Sequence, residues 1–209
     1  GGSRLPAHLI RGLIPSLDTE IHASYGLPHL NDNEIHRTHI IICSFSGETA
    51  EAIDAYQSAR RRGVVPSVIA SGGRLLSLAV AEGSPYVQIP DIGIQPREAV
   101  ILQTIAHLAL LHKTNEIQMI RDGLDLLSSE TIETEAKDVL TFLGDRIPLL
   151  YGPVELEGLL RIFKVNFNET SRRPSFIGLL PEVNHNEVEM FDGNEQTSSL
   201  TSKYAVLLF

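Results

Sequence analysis

The 209-residue chain carries 26 acidic against 17 basic side chains, a formal net charge of −9, with 43% hydrophobic and 21% charged residues. An acidic chain without a basic patch excludes a nucleic-acid partner, because affinity for phosphate backbones comes from clustered Lys and Arg. The one basic run, Arg60-Arg61-Arg62, falls where a helix is predicted to end and complements its dipole. Disorder is excluded as the main theme by composition, and the length suits one domain or somewhat more. No apolar run reaches the roughly 18 residues of a membrane span, and no signal-peptide pattern opens the chain, so no membrane partner and a cytoplasmic location are expected. A lone cysteine, Cys43, forbids an internal disulfide and a thiolate metal cage.

The chain opens on Gly1-Gly2-Ser3 and closes on the apolar run Tyr204 to Phe209, so a piece of a longer protein, lacking both ends, is expected. The first three residues read equally well as a cloning remnant. Residues Thr38 to Cys43 are β-branched and continuously apolar, the pattern of a strand buried on both faces. Beyond the polar loop Ser44 to Thr49, Ala52, Ile53, Tyr56 and Ala59 recur at helical spacing until Gly63. A strand over Val64 to Ala70 completes a βαβ unit, which implies a parallel sheet covered by helices. Arg74 to Ala81 is predicted as a short helix, Tyr86 to Ile89 as a strand, and Pro96 to His112 as a long helix with proline at its first position. Asn115 to Ser129 and Thr131 to Leu143 are helical by period, polar on one face, and carry no chemistry. Ile147 begins a second series: a buried strand ending in Gly152-Pro153, a helix over Val154 to Ser171, and strands at Ser175 to Leu180 and Tyr204 to Phe209. The α/β organisation is therefore a first domain over 1–114, a helical connector over 115–146, and the beginning of a second domain over 147–209.

The loop Ser44-Phe45-Ser46-Gly47-Glu48-Thr49 lies between the carboxyl end of a buried strand and the start of a helix, where open α/β sheets bind ligands. Three hydroxyls, a glycine and the amides of a helix's first turn could cradle a phosphate. Spacing alone leaves a second reading open, in which Ser and Thr only cap the helix. A Walker loop is absent. No histidine pair shows zinc-site spacing: His107 and His112 read as helix-face residues, and His8, His22, His29, His36 and His39 stand apart, so no metal is expected. By residue type alone Glu169 is a carboxylate near a helix end and His185 a turn residue. Arg97, by contrast, stands where the helix dipole favours acids, which points to a functional reading.

The loop Ser44 to Thr49 resembles the S-x-S-G-x-T signature of sugar isomerase (SIS) domains, which hold phosphosugars by the phosphate. Gly1-Gly2-Ser3 resembles the G-G-S turn after the first strand of that domain, and Gln95-Pro96-Arg97 the P-R opening of a later helix. Asn166 to Thr170, with Pro181 to Glu187, resembles the family's N-E-N and P-E-x-N-H-N-E pair. In this order the motifs resemble the bifunctional phosphoglucose/phosphomannose isomerase family, whose members have two SIS domains.

That resemblance implies a SIS-type three-layer αβα sandwich with a parallel sheet, flavodoxin-like, followed by an incomplete second SIS domain. It implies interconversion of glucose 6-phosphate and fructose 6-phosphate, and of mannose 6-phosphate, through a cis-enediol and without a cofactor. Ser3, Ser44, Ser46 and Thr49 would grip the phosphate of the small-molecule substrate. Arg97 would face the reacting end, Glu169 would be the base, and His185 would open the sugar ring in a neighbouring subunit's site, so a homodimer with shared sites is implied. By position in the sequence, and apart from the resemblance, Glu182 and Glu187 flank the histidine and could orient it. Thr170 departs from the family, where Asn follows the base. The family's catalytic lysine and a residue linked to mannose acceptance match no position here; Lys203 is not that lysine. The closing strand is expected to be an exposed edge. A non-catalytic SIS module that binds a phosphosugar for regulation keeps the loop but has no use for Glu169 and His185. An amino-sugar isomerase shares the loop but is disfavoured by Asn184-His185-Asn186-Glu187.

Overall fold

Short apolar strands alternate with amphipathic helices along the residues that the computed structural model describes, 2–13, 20–127, 129–193 and 195–209. A 3-10 turn, Gly2–Arg4, leads into α1 (Leu5–Leu13); then follow α2 (Asp32–Ile35), β1 (Ile41–Cys43), α3 (Ala50–Arg61), β2 (Ser67–Ala70), α4 (Gly73–Ala81), β3 (Tyr86–Gln88) and α5 (Val100–Leu110). The second half contains α6 (Thr114–Asp125), α7 (Ser129–Leu143), β4 (Ile147–Pro153), α8 (Glu157–Glu169), β5 (Phe176–Leu180), α9 (Ser198–Thr201) and β6 (Tyr204–Leu208). The described residues fall into two units, one from 2–8 and 20–118, the other from 9–13, 119–127, 129–193 and 195–209.

In the first unit β1, β2 and β3 pair in parallel in that order, with Ile42 opposite Val68 and Ile69 opposite Val87. Every residue of the central strand β2 is buried. Because side chains alternate across a strand, the sheet feeds two cores. Ile42, Val68 and Ala70 pack with Ile53, Tyr56 and Ala59 of α3 and with Leu75 and Ala79 of α4. Ile41, Cys43, Ile69 and Val87 point the other way and pack with Ala99, Leu102 and Ala106 on the α5 side. Helix, sheet and helix thus form three layers, the α/β class expected.

The second unit is a parallel sheet of order β5-β4-β6, in which Leu150 lies opposite both Ile177 and Leu207. Leu149 and Tyr151 of β4 pack with Val183, Leu180 and Val206 on one face. Toward the other, Leu160 of α8 is fully buried, and Phe163 meets Phe209 edge-on at 4.9 Å. Leu208 on the edge strand β6 is 72% exposed.

Several predicted boundaries move for local reasons. The strand expected from Thr38 starts at Ile41, because the Thr38 amide bonds to the Ile35 carbonyl and its hydroxyl to the Glu34 carbonyl, closing α2. Val64 bonds back to Ala59 and ends α3, which delays β2 to Ser67. The helix predicted from Pro96 starts at Val100. Residues 96–98 form a turn in which the amides of Glu98 and Ala99 both reach the Gln95 carbonyl. Arg97 therefore lies in this turn and not in a helix's first turn. Residues 154–156 are 3-10, so α8 proper begins at Glu157. No element was expected before Thr38, yet α1 and α2 lie there; α2 is too short to show a period and is carried by an Asn31–Glu34 capping box. The basic run is tied up locally, Arg60 with Glu82, Arg61 with Asp54, and Arg62 with Asp32. Among the described residues no helix is long and apolar enough to cross a membrane.

Candidate functional site

The loop after β1 is shaped by its own hydroxyls. Ser44, buried, continues the ladder by donating its amide to the Ile69 carbonyl at 3.0 Å, and its Oγ lies 2.8 Å from Thr49 Oγ1. Thr49 is the N-cap of α3 but makes no side-chain capping bond, so its hydroxyl serves the loop rather than the helix. Exposed Ser46 accepts the Glu48 amide on its Oγ at 3.2 Å. From the chain's start, Ser3 Oγ accepts the Phe45 amide at 3.2 Å. Gly2 sits so close to the Arg97 turn that a methyl there would lie 3.2 Å from the Pro96 carbonyl carbon and 3.3 Å from the Arg97 nitrogen. Gly2 and Ser3 thus pack within the first unit; Gly1 lies outside the described residues.

A second loop, Ser71-Gly72-Gly73 after β2, is stapled to the first. Ser71 gives its amide and its hydroxyl to the Phe45 carbonyl at 2.7 and 2.6 Å, and the Leu75 amide reaches the Gly47 carbonyl at 2.9 Å. Glu48 Oε1 accepts the Arg74 amide at 2.8 Å at the open end of α4. Gly47 and Gly73 both adopt left-handed backbone, φ +71° and +73°, where the two loops touch; a methyl on Gly47 would strike the Gly72 carbonyl, and one on Gly73 the Ser46 carbonyl. Gln88, ending β3, donates to the Ser71 carbonyl at 3.0 Å. The carboxyl ends of all three strands thus form one rigid rim, the place where open α/β sheets take ligands.

Behind this rim lies a polar residue that periodicity does not single out. Gln103 of α5 is fully buried; its Nε2 donates to the Pro96 carbonyl at 3.0 Å, and its Oε1 accepts the Cys43 thiol at 3.3 Å. Burial pushes that thiol up to about 12, partly offset by a hydrogen bond with Ser3, so it is an inert packing group. Gln103 therefore ties together the strand end, the turn presenting half-buried Arg97, and, through Cys43, Ser3. The available signal was a lone amide on the buried stripe Ala99, Gln103, Ala106.

The remaining predicted residues belong to the second unit. Glu169 is the exposed last residue of α8, where the dipole favours cations. His185 is the exposed last residue of a 3-10 turn, Glu182–His185, that follows β5. Glu187 does not bond the histidine; its carboxylate accepts the Tyr151 phenol at 2.7 Å. Glu182 accepts the Asn186 amide at 3.2 Å. Tyr151 was not singled out by sequence.

Two further histidines are structural. His107 is buried, its Nδ1 2.7 Å from the Gln103 carbonyl, and burial lowers its pKa. His39 Nε2 lies 2.8 Å from Ser67 Oγ, and its pKa is lowered by burial and then by His112. Among the described residues no group of three His, Cys, Asp or Glu is placed to hold a metal.

With this geometry in hand, comparison with known proteins is specific. Residues 132–209 match the family model of the bacterial phospho-glucose isomerase C-terminal SIS domain. The chain is 29% identical over 187 residues to the bifunctional phosphoglucose/phosphomannose isomerase of Aquifex aeolicus, covering 88% of this chain and 55% of that protein. At the same identity, over 201 residues, it is similar to the D-glucosamine-6-phosphate 4-epimerase of Sulfolobus acidocaldarius, covering 93% of this chain and 63% of the relative. The tagatose-6-phosphate ketose/aldose isomerase of Escherichia coli shares the fold, with TM-score 0.61 and 16% identity over 100% of this chain and 61% of that one. The chain thus spans less than two thirds of the length of each of these relatives. Its resemblance to the bifunctional phosphoglucose/phosphomannose isomerase family, carried by the motifs, holds over about nine-tenths of its residues.

Proposed function

We propose that this chain belongs to a hexose 6-phosphate aldose–ketose isomerase, interconverting glucose 6-phosphate, and also mannose 6-phosphate, with fructose 6-phosphate. The observation that carries the reading is the hydroxyl-lined rim at the carboxyl ends of β1 and β2: Ser3, Ser44, Ser46 and Thr49 around a left-handed Gly47. Its hydroxyls and the first-turn amides of α3 suit the phosphate dianion, and the fixed glycine backbone allows close approach. The naming of several relatives as phosphoglucose/phosphomannose isomerases supports the rest.

In this reading His185 opens the hemiacetal, moving a proton to the ring oxygen and releasing the carbonyl. The Glu169 carboxylate then takes the proton from C2; the C–H electron pair becomes the C1=C2 bond of a cis-enediol, and the carbonyl oxygen gains negative charge beside the Arg97 guanidinium. Return of the proton to C1, with transfer of the O2 proton to O1, gives the ketose. Atoms balance and no electron donor is required. A homodimer in which His185 serves the partner's site completes the scheme, with residues 1–114 as one SIS domain, 115–146 as connector and 147–209 as part of another.

The decisive experiment expresses the whole reading frame and follows fructose 6-phosphate formation from glucose 6-phosphate and mannose 6-phosphate, with Glu169→Gln alongside. Turnover by wild type, with at least about a hundredfold loss in the variant and retained sugar-phosphate binding, is expected. The equal similarity to a 4-epimerase favours a second reading, action on an amino-sugar phosphate, so glucosamine 6-phosphate belongs in the assay. Conversion of that compound alone would replace the isomerase reading, and binding without conversion of any substrate would leave a regulatory phosphosugar module.

A further inference from the structure

The His185 side chain is exposed at the end of a 3-10 turn, so its position is inherited from its neighbours in sequence. Two residues before it, Val183 is buried; two residues after it, Glu187 accepts a phenol. Both anchors converge on one side chain. The Tyr151 ring shares a core cluster with Val183, and Gly178 of β5 lets the two approach. A methyl there would lie 2.6 Å from Val183 Cγ2 and 2.8 Å from Tyr151 Cε1. The Tyr151 hydroxyl reaches on to Glu187 Oε2 at 2.7 Å, the short distance of a hydrogen bond to a carboxylate.

We propose that Tyr151 is the positioning residue for His185, clamping the turn that bears it through ring contact on one side and a phenol–carboxylate bond on the other. The inference rests on the reading of His185 as the ring-opening group. It assigns the strand residue that holds that group in place. Burial and the adjacent Glu187 both raise the phenol's pKa, so it remains a donor at neutral pH.

Ring opening has its own readout, the interconversion of the α and β anomers of glucose 6-phosphate, which exchange NMR follows without any proton leaving C2. In the full-length protein Tyr151→Phe, which keeps the ring, is expected to slow anomer exchange and kcat about tenfold or more with KM within about twofold, as expected when a catalytic group is misplaced but binding is intact. Amide exchange in 182–191 should rise in step. Glu187→Ala should match it, the double variant should be no worse than either single, and Glu187→Gln, which keeps an acceptor, should recover much of the loss. Glu169→Gln should retain anomer exchange while losing isomerisation. If Tyr151→Phe loosens 182–191 but exchanges anomers at the wild-type rate, or if the segment's protection is unchanged, the positioning role is overturned and the isomerase reading stands. Failure of wild type to exchange anomers or isomerise overturns both.

Discussion

Glu48 lies within the loop proposed to hold a dianion, yet its carboxylate points at the Arg74 amide, 2.8 Å away, and closes the open end of the next helix. A carboxylate facing a phosphate would repel it; turned onto a helix N-terminus, where the dipole is positive, it stabilises. The same bond fixes the loop after β1 against the loop after β2. Removing it with Glu48→Ala should cost about 1 kcal/mol in urea unfolding, the usual worth of a cap, and Glu48→Gln should cost less because an acceptor remains.

Gly47 tests the geometry of the rim directly. Its left-handed backbone and its approach to Gly72 leave no room for a methyl. Gly47→Ala should therefore both destabilise the protein by roughly 1–3 kcal/mol and weaken inorganic phosphate or sugar-phosphate binding about tenfold, measured by calorimetry. A variant that binds normally would mean that the loop is not the phosphate site.

Gln103 is buried with both ends of its amide engaged. Gln103→Leu fills the space but leaves the Pro96 carbonyl without that donor, a cost of about 1–3 kcal/mol for a buried acceptor. Because the Arg97 turn hangs from that carbonyl, kcat should fall by more than stability alone explains, while Cys43→Ala, which cuts only the other arm, should change kcat less. Matched melting curves and steady-state kinetics separate the two effects.

Acid should destabilise the protein through two histidines, buried His107 and exposed His39. The folded-state pKa values of His107 and His39 are lowered, so below the unfolded value of about 6.5 the unfolded chain binds protons that the folded chain refuses. Stability is then fully present above about pH 6.5 and declines as pH falls below it. The urea midpoint should drop between pH 7 and pH 5, and His107→Gln, which can still donate to the Gln103 carbonyl, should flatten that dependence. An unchanged slope in the variant would assign the pH dependence elsewhere.

Where sequence and structure part, the cause is local competition for hydrogen bonds. Thr38 reads as strand by its β-branched side chain, but its amide and hydroxyl close α2. Pro96 reads as a helix start, but the turn at Gln95 takes the first amides. The hydroxyls of the Ser44–Thr49 loop fitted either a cap or a cradle, and only the Ser44–Thr49 bond assigns Thr49 to the loop. Glu187 could be read as steering His185 directly; in the structure it reaches Tyr151 instead.

The order of strands and helices, the buried central strands and the loop that carries the hydroxyls were determined by sequence, because apolar periodicity and the chemistry of Ser, Gly and Thr act over a few residues. Which distant residues brace that loop and the His185 turn was decided by tertiary structure alone. Ser71, Gly73, Gln103 and Tyr151 gain their roles from contacts across strands and helices far apart in the chain, and no local pattern encodes which buried polar group will meet which partner.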